Sequence, residues 1–159
     1  MITISVDLGN APSVLAALGN PSNAQLLANT MAEAYVDDML DWIASGRSFT
    51  GRSGQLAQSI GWHPAGGGSA KVYASSDYAG FVEHGTGIPA GHDSWKYGPR
   101  DRKALRFPVG GGGGFAFARS VVHEGSQPHP FFFADLDNRQ QHMQAVGLSV
   151  LSRIIANAQ

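Results

Sequence analysis

The spacing of apolar and polar positions changes period several times along the chain. Residues 2–8, ITISVDL, alternate Ile2, Ile4, Val6 and Leu8 with Thr3, Ser5 and Asp7, the period of a half-buried strand. Pro12 to Leu18 suits a short helix ended by Gly19, and Ser22 to Gln25 then has the Ser-x-x-Gln spacing of a capping box. From that point Leu27, Met31, Tyr35, Met39 and Trp42 with Ile43 recur every three to four residues, while Glu33, Asp37 and Asp41 fall on other faces. The spacing predicts one long amphipathic helix, stopped by Gly46.

After the polar linker RSFTGRSG (47–54), QLAQSIGWH passes from a helical turn into a strand, and AGGGS (65–69) separates it from KVYASS, the pattern of a hairpin. Tyr78 to His84 reads as a short helix or extended turn. Residues 85–103 carry no apolar period, and loops of that length are usually functional or mobile. ALRFPV (104–109) and FAFARSVV (115–122) are strand-like and are joined by Gly110–Gly114, which have no side chains to anchor a turn. Segments 86–103 and 110–114 are therefore expected to be mobile. From Phe131 onward Leu136, Met143, Val146, Val150, Leu151, Ile154 and Ile155 form a helical stripe, with Pro130 before or in its first turn and Asp135 and Asp137 at its positive end. The order predicts an α+β fold in one domain over residues 1–159. A small, mainly antiparallel sheet is packed by a long helix in the N-terminal half and a long C-terminal helix, with extended loops.

Charge alters this picture more than length does. Only 14% of residues are charged and 43% are hydrophobic, against roughly 25% charged in ordinary soluble domains, so part of the surface is expected to be covered by other subunits. The charges are also segregated. Glu33, Asp37, Asp38 and Asp41 lie together with no cation before Arg47, whereas Lys96, Arg100, Arg102, Lys103 and Arg106 are opposed only by Asp93 and Asp101. Such regions can meet across an interface or can simply be two solvated patches. The absence of cysteine excludes a disulfide framework and thiolate metal sites. No segment has the pattern of a signal peptide, and none approaches the roughly 20 apolar residues of a membrane span, so a soluble protein is expected.

Several chemistries can be weighed against these residues. His84, His92, His123 and His129 with Glu83 and Asp93 are metal-ligand types, but no pair has the helical i, i+4 spacing, and solvent-facing loop residues are the plainer reading. Ser94 and Ser126 lack a Gly-x-Ser-x-Gly turn. Glu83 is the candidate general acid of a small cell-wall hydrolase, with Asp93 or Asp101 as second carboxylate; the alternative is a structural carboxylate ending a short helix. Neither a phosphate-binding glycine loop nor a dinucleotide fingerprint is present, and no cofactor is expected. Trp95 and Tyr97 in the basic segment suit passing contact with DNA, kept weak by a net charge of −1.

Four segments in order, GQLAQSI (54–60), YAGFVEHGTG (78–87), LRFPV (105–109) and PHPFFFADLD (128–137), resemble the ordered signature of the tailed-phage neck and minor-tail family of head–tail joining, tail-completion and tail-terminator proteins. In that signature Gly-x-Leu-x-x-Ser-Ile is followed by Tyr-Ala-x-x-Val-Glu-x-Gly-Thr, a Phe-Pro strand and a Pro-x-Pro-Phe that opens the last helix. The excursion 88–103, the five glycines and the N-terminal strand depart from the common pattern, which leaves open the connector, completion and terminator stations. The resemblance implies a non-enzymatic virion protein, made in the host cytoplasm and forming a ring of six copies, with twelve the alternative. The ring would surround DNA without sequence-specific binding, between connector and tail-tube proteins and away from any membrane. Asp37, Asp38 and Asp41 would face Lys96, Arg100, Arg102 and Lys103 of the next copy, with Gly110 and Gly114 at a contacting tip. Tyr78, Phe81 and Val82 would pack inward, Glu83 would fix the turn, and Gly85, Thr86 and Gly87 would launch an interface loop. Pro130 and Phe131 would open the last helix.

Overall fold

The computed structural model describes residues 10–49, 53–109 and 114–158. The strand expected over 2–8 and Gly110 of the expected tip lie outside these residues. The described chain is α+β, with a long helix in its N-terminal half, a long C-terminal helix and short strands joined in four antiparallel pairs. Contacts group it into two compact units: residues up to Ser76 with those from Phe131 onward, and Asp77 to Pro130.

In the first unit, α1 (Ala11–Leu18) leads into α2 (Pro21–Ala44). The helix begins two residues earlier than the capping-box spacing suggests. Asn20 takes an extended conformation and accepts a 2.9 Å bond from the Ser22 N–H, while Pro21, whose fixed φ suits a first turn, begins the helix. Gln25 is consequently free to donate to Asn29 Oδ1 and to the Ser69 carbonyl, each at 2.8 Å. Helix α2 packs on both α5 (Leu136–Asn157) and a hairpin. Its fully buried residues are Ala32, Val36 and Met39, whereas Leu27, Met31 and Tyr35 of the expected stripe are half-buried. A helix covered from two sides hides the line between its neighbours, and that line is offset from the apolar stripe.

The hairpin follows α3 (Gln55–Gln58) and consists of β1 (Ile60–Gly66) and β2 (Ser69–Ala74), with Trp62 opposite Val72 and a register shift between Pro64 and Gly66. Helix α5 buries Arg139, Gly147, Val150 and Ile154, while Leu136 remains 48% exposed. Gly147 sits where the two long helices approach: a Cβ there would lie 3.3 Å from Met31 Sδ and 3.6 Å from Leu27 Cδ1.

Pro130 does not open this helix. Residues 131–135 form turns, and side chains hold the first two carbonyls: Tyr35 Oη donates to the Phe132 carbonyl at 2.7 Å, and Arg139 Nη1 donates to the carbonyls of Phe131 and Phe132 at 2.9 Å each. Asp135 then turns the chain at φ 53°, and its carboxylate accepts a 2.6 Å bond from Asn138 Nδ2.

The second unit starts with α4 (Ala79–His84) and continues through β3 (Thr86–Gly87), a 3-10 turn at Ile88–Ala90, β4 (Trp95–Tyr97), β5 (Leu105–Pro108), β6 (Phe115–Ala118), β7 (Val121–His123) and β8 (Gly125–Ser126). Its pairs are nested: β3 with β8, β4 with β7, and β5 with β6. This is one long interrupted hairpin. The return limb, 115–126, leaves its ladders only at Glu124 and at Arg119 and Ser120, while the outgoing limb has two bulges, 88–94 and 98–104. Segment 85–103 therefore carries regular elements that its sequence did not reveal. Strands of two and three residues are too short to display a period, and their partners lie 24–40 residues further along the chain.

Because Gly147 sets the approach of α2 and α5, Gly147→Val is expected to overpack the contact with Met31 and Leu27. The expected loss is about 1–3 kcal/mol of unfolding free energy, measured by denaturant titration with helical circular dichroism. An unchanged midpoint would show that the helices can slide apart without loss.

Candidate functional site

The base of the long hairpin is fixed by close backbone contact. Gly87, at φ 61°, and Gly125, at φ 111°, face each other in the ladder. A Cβ on Gly125 would collide with the Thr86 carbonyl, and one on Gly87 with the Glu124 carbonyl. No side chain fits between the limbs here. Ile88 N–H donates to the Glu124 carbonyl at 2.7 Å, and Ser126 N–H donates to Thr86 Oγ1 at 3.0 Å. Gly85, Thr86 and Gly87 thus do launch the excursion, as a strand rather than a free loop.

A cleft of about 800 Å³ opens beside this base, lined among others by Asp77, Phe81, His84, His92, Trp95 and His123. Trp95 and His123, direct partners across β4 and β7, stack with centroids 4.6 Å apart. His123 Nδ1 accepts from the Gly125 N–H at 2.9 Å, so the ring proton of the neutral imidazole is on Nε2. Phe81 departs from expectation: it is 64% exposed and Tyr78 is exposed as well, while Ala79 and Glu83 are the buried residues of α4. On this helix the small residue and the carboxylate occupy the inward positions. Glu83 does not line the cleft.

In the first unit a second cleft, of about 430 Å³, runs along α2 and α5 and is lined by Asp38, Asp41, Trp42, Arg47, Arg139 and His142 among others. Asp38 is partly committed within the chain, since both its carboxylate oxygens lie 2.9 Å from His142 Nδ1. Asp37 and Asp41 are exposed. Arg139 is only 3% exposed. Besides its two carbonyl partners it lies near the rings of Tyr35 and Trp42, at 5.4 and 5.9 Å, and its Nη2 has no hydrogen-bond partner among the described residues. Sequence reasoning missed Arg139 because a cation flanked by Asn138, Gln140 and Gln141 reads as a solvent-facing residue.

The expected basic residues are all exposed in the second unit. Lys96 is on β4, and Arg100, Arg102 and Lys103 are on the second bulge. Gly114 is exposed, its carbonyl accepting from the Val109 N–H at 3.0 Å. Pro130 is exposed and Phe131 is 1% exposed. The charge clusters occupy different units, so the chain does not pair them within either one. Among the described residues no group of three or more His, Asp or Glu could hold a metal ion, and no helix is long and apolar enough to cross a membrane. Ser126 is a ladder residue opposite Thr86, and Ser94 is exposed in the first bulge. No protein-family model, curated protein or solved structure matches the chain significantly.

Gly125→Ala is expected to open the base of the hairpin, with a loss of at least about 2 kcal/mol and faster amide exchange at Ile88 and Ser126. Gly80→Ala, where an added Cβ meets nothing within 4 Å, is the control and is expected to be neutral or slightly stabilising. Equal behaviour of the two variants would remove the glycine contact as the cause.

Proposed function

We propose that the chain is a structural virion protein that assembles into a ring in the neck of a tailed phage and joins the DNA-filled head to the tail. The observation that carries this reading is the long hairpin. Its ladders are only two strands wide, so backbone donors and acceptors stay on its edges, and Trp95, Tyr97, Val122, Phe115 and Phe117 are exposed along it. A two-strand ribbon is marginal by itself, and exposed edges and apolar faces are usually completed by another chain. The four ordered sequence segments support the same class. Segregated acidic and basic surfaces suit a contact between unlike faces of successive copies, the kind that closes into rings. Such a ring passes DNA with only weak contact, as suits a net charge of −1.

The alternative, a wall hydrolase using Glu83, has less support. The carboxylate is buried on a short helix and lines neither of the clefts described above. Under the structural reading Glu83→Gln keeps near-native stability and Glu83→Ala loses about 1 kcal/mol. A monomer whose wall-degrading activity disappears in the Gln variant would establish the alternative instead.

Assembly is tested by charge reversal, leaving Asp38 untouched because of its bond to His142. Asp37→Lys with Asp41→Lys is expected to reduce ring formation seen by native mass spectrometry and negative-stain imaging. Adding Arg100→Glu, Arg102→Glu and Lys103→Glu is expected to restore part of it. Simply additive losses would mean that the two surfaces never meet.

A further inference from the structure

The innermost segment of the hairpin has two unlike faces. In β5 and β6 the alternation puts Leu105, Phe107, Ala116 and Ala118 on a half-buried face, and Arg106, Pro108, Phe115 and Phe117 on an exposed one. Phe117 is 68% exposed and Phe115 49%. Arg106 stands opposite Phe117 in the register, with its guanidinium carbon 3.5 Å from the Phe115 ring centroid. The bulge leading into β5 carries Arg100, Arg102 and Lys103. The donor surface is thus aromatic at one end and cationic at the other.

The first unit presents the complementary order. A groove of about 560 Å³ lies between α2, the β1–β2 hairpin and α5, lined by Leu27, Met31, Tyr35, Val72, Phe132 and Met143 among others. Its lining is apolar. One turn further along α2 begins the second cleft, whose carboxylates Asp38, Asp41 and Asp135 outnumber its arginines Arg47 and Arg139. An apolar trough therefore leads into a carboxylate-bearing one along a single helix.

We infer that the Phe115–Phe117 face of one copy seats in the Leu27–Met31–Met143 groove of a second copy, with its Arg100–Arg106 end over Asp38 and Asp41. The inference rests on the assembly reading above and names the contact that reading requires. Charge complementarity picks the occupant: both halves, in matching order, are present in one chain, so a second copy satisfies them without any other partner. Aromatic side chains in an apolar groove would supply the buried centre, and the arginines the polar rim. Desolvation on docking also strengthens the attraction between Arg106 and Phe115. Because donor and acceptor are different surfaces, each seated copy leaves one of each unfilled, so the contact propagates.

The chain has no cysteine, so an introduced pair reports the contact directly. Copies with Phe117→Cys are mixed with copies carrying Ala28→Cys, which lies in the groove, and oxidised. The expected product is the mixed 117–28 disulfide, formed well above the level of either variant alone. Separately, Phe115→Ser with Phe117→Ser is expected to weaken self-association about tenfold or more with an unchanged melting temperature. Predominant 117–117 linkage would mean ribbon-on-ribbon pairing and would overturn the inference. Rings that form without the mixed disulfide would also overturn it, while leaving the ring reading intact. Mixed disulfides confined to a reciprocal dimer would support the contact and remove the ring, whereas a monomer at all concentrations would remove both.

Discussion

A buried arginine holds the first unit together in a way no apolar residue could. Arg139 reaches from the first turns of α5 to the carbonyls of Phe131 and Phe132 and lies near the rings of Tyr35 and Trp42 on α2. A guanidinium with so little water access is costly unless its donors are used, and two backbone carbonyls with two aromatic faces provide most of what it needs. The consequence is topological. With those carbonyls held by side chains, residues 131–135 stay as turns ahead of α5, and Phe131 is planted in the core at 1% exposure, edge-on to Phe49. One long polar side chain thus sets where the last helix begins and where the largest buried ring sits.

The second unit is built on the opposite economy. Among the described residues every buried large apolar side chain, Met39, Leu56, Phe131, Val150 and Ile154 included, belongs to the first unit. The buried positions described between Asp77 and Pro130 are Ala79, Glu83, Gly85 and Gly87. Ladder hydrogen bonds and close glycine contact therefore do there what apolar burial does elsewhere. The two limbs of its hairpin also divide the labour. The return limb stays nearly continuous, while the outgoing limb loops out twice and places His92, Asp93 and then the arginines on those bulges. Charge is thus displayed on loops that leave the paired limb at defined points, which is how positioned loops on a scaffold serve recognition.

The sequence was legible where period and length were large. Both long helices, the β1–β2 hairpin and the β5–β6 pair follow from spacings of 3.6 and 2, because burial of a face imposes those spacings. The failures have separate physical causes. The capping box at Ser22 lost to Asn20 because Pro21 is better suited to a first helical position. Phe81 was expected inside because it is aromatic, but on a helix of six residues Ala79 and Glu83 took the inward positions. The β3–β8 and β4–β7 pairings depend on residues far apart in the chain, and Gly125 has no neighbour in sequence that signals its closeness to Thr86. For the candidate site, the segregation of charge was visible at once, whereas the Asp38–His142 bond and the buried Arg139 are products of tertiary packing.

The same contrast bears on why an aromatic surface persists on the hairpin. A ribbon of two strands gains little from covering only one of its faces, and exposed Phe115 and Phe117 invite nonspecific association unless a specific surface claims them. If they served only the fold, the ribbon would be better off with threonine or valine at those two positions, which suit a strand without so large an apolar area in water. Two phenylalanines held beside an arginine, on a limb whose base admits only glycine, form an ordered apolar surface rather than a loose one. That order lowers the entropy lost on docking, and it makes the hairpin better suited to being gripped by another chain than to standing alone.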